Sequence, residues 1–211
     1  MKEFSIISVS IINIIIGVRY CYLTYHKKIQ PSLAMWTFFT TAVAMSLATY
    51  MAESEFSLWD NILNTTDLLL VGSISIFILI FGGKSARFDR FDKFCLAAVV
   101  LIAVFWFITQ THILSHMLIE SIMLIAYIPV IRRLWTSKEN TEPYSVWILL
   151  MIAPVFSLLS SKGLLASIYA VRAILSTGIL MLLMLRIDYL GKRAKKKVIR
   201  MNMDHIKRKR A

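Results

Sequence analysis

Cysteine is almost absent. The chain has Cys21 and Cys95 among 211 residues, both at ends of apolar segments that the flanking charges assign to the cytoplasmic side. A reducing compartment there excludes a disulfide, and neither residue stands at a metal-site spacing. There is no nucleophile motif and no second metal cluster, so the case for an enzyme is thin, and none is expected. The last apolar segment carries Arg172 but no mid-span lysine, which excludes a retinal Schiff base. The N-terminal stretch MKEFSIISVSIINIIIGVRY has no small-residue cleavage site and sets Glu3 beside Lys2, so it reads as a retained span instead of a signal peptide. Acidic residues number 12 against 24 basic ones. The resulting charge of +12 would suit nucleic acid. Its placement does not, because the basic residues flank apolar segments or crowd the last twenty positions, without interleaved aromatics.

What the chain has in excess is apolar surface. Hydrophobic residues make up 58% of it, and the mean hydropathy is +0.69. That places it among polytopic membrane proteins. Seven apolar segments fall at approximately 4–25, 31–52, 58–82, 92–110, 112–134, 143–160 and 163–190. The loops between them alternate in charge. Lys27 and Lys28 follow the first segment, and only the acids Glu53, Glu55 and Asp60 follow the second. Lys84, Arg87, Arg90 and Lys93 follow the third, and none follows the fourth. Arg132, Arg133 and Lys138 follow the fifth, and Lys162 alone follows the sixth. The positive-inside rule then puts the N-terminus outside and the C-terminus in the cytoplasm. All five tryptophans, at 36, 59, 106, 135 and 147, fall near segment ends, where indole rings prefer the headgroup level. Residues 191–211 form a basic tail. Ile199, Met203 and Ile206 recur in it at helical spacing, so it is expected as a basic helix or disordered arm on anionic lipid headgroups.

Polar residues inside the segments are few. Asp67, Glu120 and Arg172 are ionisable, and such groups inside a bilayer usually face the bundle interior. Asn13 joins them, all four at a common depth of roughly 12–14 Å at 1.5 Å per residue. Arg172 can neutralise only one of the two carboxylates. The pattern is open to a salt bridge that ties the third helix to the seventh, or to a binding site with one acid left over, which could carry a proton or meet a cation. His112, His116 and Glu120 recur every four residues on one helix face. Three readings stay open for that row: a transition-metal site, a proton path to Glu120, or histidines bound to water at the outer headgroup level. Ser and Thr in the third and seventh segments, among them Thr65 and Thr66, read as close-packing positions beside Gly72 and Gly178.

Tyr25, Lys28, Pro31 and Trp36 are echoed by Trp135, Lys138, Pro143 and Trp147. The echo divides residues 1–190 into a repeat over 4–82, a connector helix over 92–110, and a second repeat over 112–190. The repeats are parallel, related by an axis along the membrane normal. Asn13 then corresponds to Glu120, and Asp67 to Arg172. With Pro129 in YIPVIRRLW and the following SKENTEPYSVW, this layout resembles the SWEET and PQ-loop superfamily, whose members have seven spans in a 3+1+3 plan. The family's Pro-Gln is Pro129-Val130 here. The first repeat has no proline inside its helix, where Gly17 is the substitute weak point. The resemblance implies an all-α bundle that transports by alternating access, with a polar pair on the third and seventh helices, here Asp67 and Arg172, facing the solute. The charges at those positions are unlike a neutral-sugar site.

The sequence therefore leads to a carrier for a small polar or charged solute. Asp67, Arg172 and Asn13 bind the solute, and Glu120 is the candidate proton site. No cofactor is required, no nucleic acid is expected, and a homo-oligomer is compatible with the layout. A receptor or sorting protein built on the same bundle is the alternative, followed by a membrane metal enzyme using His112, His116 and Glu120.

Overall fold

A computed structural model describes residues 1–29, 31, 33–82, 90–128, 131, 134–135, 140 and 143–210, with the side chains of 34, 92, 192 and 194–210 left aside. The described residues contain seven α-helices and no strand. They are α1 (Lys2–Tyr25), α2 (Leu33–Glu53), α3 (Ile62–Phe81), α4 (Arg90–Thr109), α5 (His112–Ile125), α6 (Tyr144–Ser157) and α7 (Leu164–Arg210). One helix overlies each apolar segment of the sequence. A run such as SIISVSIINIII is rich in β-branched residues and would make a poor helix in water. In an apolar medium every backbone N–H and C=O must be satisfied within the segment, and helix is the local solution.

Lys2–Tyr25, Leu58–Phe81 and Leu164–Gly191 are long and apolar enough to cross a membrane. The described parts of α5 and α6 have 14 residues each, about 21 Å at 1.5 Å per residue. Both are shorter than the segments at 112–134 and 143–160. Past α5, the Ile131 N–H still donates to Tyr127 O at 2.9 Å. The expected hinge at Pro129-Val130, and the loop residues Lys84, Arg87, Arg132, Arg133 and Lys138, lie outside the described residues. The tail is not a separate element. α7 runs for 47 residues to Arg210, so the basic segment continues the last helix.

The ends of the elements have local causes. Ser57 and Asp60 form a reciprocal cap on the 3₁₀ turn Leu58–Asn61, and the Asn61 side chain accepts from Asn64 N at 3.4 Å to start α3. Gln110 takes φ 53° and reverses the chain within two residues between α4 and α5. Gly163 takes φ +82° just before α7.

α1 packs on α3 and α6, and α2 on α3, α5 and α4. α7 packs on α6 and α5, and α4 lies against α2 and α5. Ile16, Ile74, Ile78, Ile119, Met123 and Tyr169 meet in the shared core. The bundle's perimeter is apolar too, with Leu79, Leu101, Phe107, Ile108 and Leu182 exposed. An apolar surface of that kind suits lipid, and together with the three long apolar helices it fits a membrane protein. Cys21 and Cys95 are not joined in a disulfide. The tryptophans divide. Trp59 and Trp135 are exposed as headgroup anchors would be, but Trp36 and Trp147 are packed at 8% and 9% exposure. Trp36 is held inside because its indole N–H donates to the Tyr20 hydroxyl at 3.0 Å.

Gly163 is the position where glycine is required. Its φ favours no L side chain, and a Cβ there would stand 2.8 Å from the Phe56 ring. Gly163→Ala is expected to lower stability by about 1–3 kcal/mol, read as a lower melting midpoint of the detergent-solubilised protein. An unchanged midpoint would show that the α6–α7 turn relaxes freely.

Candidate functional site

Asn13, Asp67, Glu120 and Arg172 come from four helices and meet in one polar cluster. In the first half, α1 and α3 are joined by the Asn13 amide, which donates to Asp67 Oδ1 and to Thr66 Oγ1, both at 2.8 Å. In the second half, α5 and α7 are joined by Arg172 Nε, which donates to Glu120 Oε2 at 2.7 Å. Glu120 and Arg172 are buried, at 4% and 7% exposure.

Hydrogen bonds also tie the halves together at the centre. The Tyr169 hydroxyl of α7 donates to Asp67 Oδ2 at 2.9 Å. The Ser46 hydroxyl of α2 donates to Glu120 Oε1 at 2.8 Å. The Arg172 guanidinium lies over the Tyr169 ring, 4.6 Å from its centroid. The cluster thus runs from Asn13 through Asp67, Tyr169, Arg172 and Glu120 to Ser46, with the Asn64 amide 2.9 Å beyond Ser46 Oγ.

The ion pair differs from the one the aligned depths suggested. Arg172 pairs with Glu120, and among the described residues Asp67 has no cation within salt-bridge distance. Helix geometry explains this. Tyr169 and Arg172 are three residues apart, on the same face of α7. The tyrosine reaches toward α3 and fills the space through which the guanidinium would approach Asp67. Asp67 is therefore the carboxylate held only by neutral donors. With His116 neutral, the formal charges of Asp67, Glu120 and Arg172 sum to −1. Asp67 and Thr66 also keep part of their surface accessible, as does Tyr127 of the α5 extension, whereas Glu120 and Arg172 are enclosed.

The His112, His116 and Glu120 row is split. His116 is fully buried, with Nδ1 3.0 Å from Thr49 Oγ1 and 3.2 Å from Ser46 O, and Nε2 3.6 Å from Glu120 Oε1. His112 turns instead to α4, where its Nδ1 accepts from Trp106 Nε1 at 2.7 Å. Among the described residues no group of three or more His, Cys, Asp or Glu is arranged to hold a metal ion, so the three-residue metal reading fails on geometry. His116 is a core residue, not a headgroup-level one. Thr66, set down as a packing position, is a direct partner of Asn13.

Sequence reasoning missed Tyr169, Ser46 and Thr49. A signal was present: Ser46 and Thr49 are three apart in the otherwise apolar AVAMSLATY of α2, and Tyr169 precedes Arg172 by one turn. Two buried acceptor-capable atoms of the cluster have no hydrogen-bond partner, Asn13 Oδ1 and His116 Nε2.

Removing one member of a buried ion pair strands the other charge, whereas replacing both by apolar residues does not. Arg172→Leu is expected to cost about 3–5 kcal/mol, and adding Glu120→Leu should restore at least half of it. Chemical unfolding in detergent micelles measures both. A double variant no better than the single would mean that the two side chains are not energetically paired.

No protein-family model, no curated protein and no solved structure matches this chain.

Proposed function

We propose that the protein is a carrier that moves a small polar or charged solute across a membrane by alternating access, with Asp67 as the anionic group that receives it. The observation that carries this reading is the difference between the two carboxylates. Glu120 is committed to Arg172 and enclosed. Among the described residues Asp67 is held by Asn13 and Tyr169, both neutral, and the residue is less fully buried than Glu120. A purely structural carboxylate would gain by pairing with the nearby arginine. Asn13 and Tyr169 orient Asp67, and the Arg172–Glu120 pair fixes the other wall.

The packing supports two parallel trios. Exchanging α1 with α5, α2 with α6 and α3 with α7 turns the pairs α1·α3, α2·α3, α1·α6 and α2·α5 into α5·α7, α6·α7, α2·α5 and α1·α6, each of which is also packed. The same exchange carries the Asn13–Asp67 bond onto the Glu120–Arg172 bond. A seven-span, SWEET-like arrangement accounts for both relations, with α4 as the connector. In this reading the N-terminus is outside, and the helical basic tail continues into the cytoplasm beside anionic lipid headgroups. The Lys2 end of the bundle is the closed gate. There Lys2 Nζ meets Asp60 Oδ1 at 2.6 Å, Lys162 N donates to Asp60 O at 2.9 Å, and the Tyr50 hydroxyl donates to Lys162 O at 3.0 Å.

Purified protein in liposomes should give saturable flux of an amino-acid-like or nucleoside-like solute, reduced at least tenfold by Asp67→Asn at equal protein content. Flux unchanged by Asp67→Asn and by Arg172→Leu would refute the site. Saturable binding without flux would make the protein a receptor instead.

A further inference from the structure

The end of α1 farthest from Lys2 carries a cationic cluster that the central site does not use. The helix stops there in a tight reversal. Lys27 N–H donates to Thr24 O at 3.0 Å, and Lys28 N–H donates to Leu23 O at 2.9 Å. Lys27 makes the reversal at φ 54°. Helices ordinarily place glycine at that left-handed position, so a lysine there is strained. The turn folds Lys28 back along the helix, and its Nζ stands 5.6 Å from the centroid of the Tyr22 ring. Arg19, three residues before Tyr22 on the same side of α1, brings its guanidinium to 5.9 Å from that ring. The His26 ring is tilted against the same tyrosine at 4.3 Å. Arg19, Tyr22, His26 and Lys28 are all exposed.

Two cations gathered at one ring repel each other unless an anion stands with them. The surrounding chain offers none, because residues 4–52 contain no Asp or Glu. Among the described residues neither Arg19 nor Lys28 has a salt-bridge partner. The negative end of the α1 dipole offsets only about half of one charge.

The adjoining surface says what kind of anion fits. On the face of α1 that carries Tyr22, Ile7, Ile11, Ile15 and Val18 follow one another at helical spacing and are 58%, 52%, 48% and 67% exposed. The opposite face, with Val9, Asn13, Ile16 and Tyr20, is the one buried against the bundle. From Ile7 to Tyr22 the stripe runs about 22 Å at 1.5 Å per residue, more than one leaflet of a hydrocarbon core of about 30 Å. A free anion or an acidic soluble protein would use the cations and leave the stripe bare. An amphiphile with a charged head and a long apolar chain uses both, and Tyr22 stands at the junction, where a ring with a polar tip belongs.

We infer that Arg19, Tyr22 and Lys28 form a binding site for an anionic phospholipid. Its phosphate lies between the guanidinium and the ammonium, and one acyl chain runs along Val18, Ile15, Ile11 and Ile7. The site is distinct from the basic segment 191–211 and does not depend on the carrier reading.

The test places the full chain in phosphatidylcholine vesicles with a minor fraction of phosphatidylglycerol that bears a photoreactive acyl chain. Peptide mass spectrometry then locates the label. Labelling of α1 should exceed that from a phosphatidylcholine analogue with the same chain, and should fall about fivefold in Arg19→Gln. Tyr22→Leu, which keeps both charges, should lower it as well. Circular dichroism on the same samples shows that these exposed substitutions leave the helices intact. Replacing Lys195, Lys196 and Lys197 together by Gln should leave the α1 label unchanged. Equal labelling by the phosphatidylcholine analogue would reduce the stripe to ordinary boundary surface and overturn the inference. So would a label unmoved by Arg19→Gln and Tyr22→Leu, or one lost in the Lys195–Lys197 variant. Displacement of the label by excess inorganic phosphate would mean a free-anion site instead, and a cross-link from α1 to a second copy would mean that protein covers the stripe; either result refutes a lipid site.

Discussion

Arg172 shares the interior with two carboxylates, Glu120 in its own half and Asp67 in the other, and forms an ion pair with Glu120. That choice organises the bundle. By donating to Glu120 and lying over Tyr169, the guanidinium fixes α7 against α5 and directs the Tyr169 hydroxyl across to α3. A buried arginine must be paired, so this geometry is not free to drift, and every other polar contact at the centre is arranged around it. Asp67 is the consequence. Among the described residues it is left with neutral partners, because the guanidinium is engaged by Glu120 and by the Tyr169 ring.

The two halves of the cluster use equivalent positions for different ends. Asn13 and Asp67 occupy the places in α1 and α3 that Glu120 and Arg172 occupy in α5 and α7. In one half the donor is a neutral amide and the acceptor an acid. In the other the donor is a guanidinium. A polar bond between charged partners is the stronger of the two, roughly twofold by ordinary comparison. The α5–α7 side therefore makes the firm wall and the α1–α3 side the yielding one.

Much of this was legible in the chain. The seven apolar segments match seven helices, and the four polar residues inside them do converge, because the cost of placing a polar group in lipid forces such residues inward whatever the detailed packing. The partner of Arg172 was not legible. Depth along a helix axis is additive at 1.5 Å per residue, but the direction of a side chain around that axis depends on crossing angles that the sequence does not state. His116 was misplaced for the same reason. It shares a face with His112, yet α4 covers one residue and α2 the other. Trp36 and Trp147 followed the rule for indoles near segment ends only in position, because a hydroxyl from Tyr20 gave the first an interior partner that composition alone does not reveal.

The closed Lys2 end bears on whether such a centre can be alternately exposed. Ser5 of α1 is 2.7 Å from both Phe156 O and Ser160 Oγ, and Lys2, Asp60, Tyr50 and Lys162 bridge α1, α2, the turn before α3 and the approach to α7. All but the Lys2–Asp60 pair cross between the two halves, so that end cannot part without breaking them. Each contributes on the order of 1 kcal/mol net, since water replaces what is lost. Their sum is a few kcal/mol, which is the range of free energy that separates two conformations of one protein when both are populated. The Arg172–Glu120 pair lies within a single trio, and a rocking motion between trios would leave it whole. The contacts that would change are those that join the halves at the centre, Tyr169 to Asp67, Ser46 to Glu120 and α2 to His116. In the proposed carrier, opening would loosen the hold on Asp67 by the same displacement that unfastens the end, and the ion pair on which the interior depends would stay enclosed.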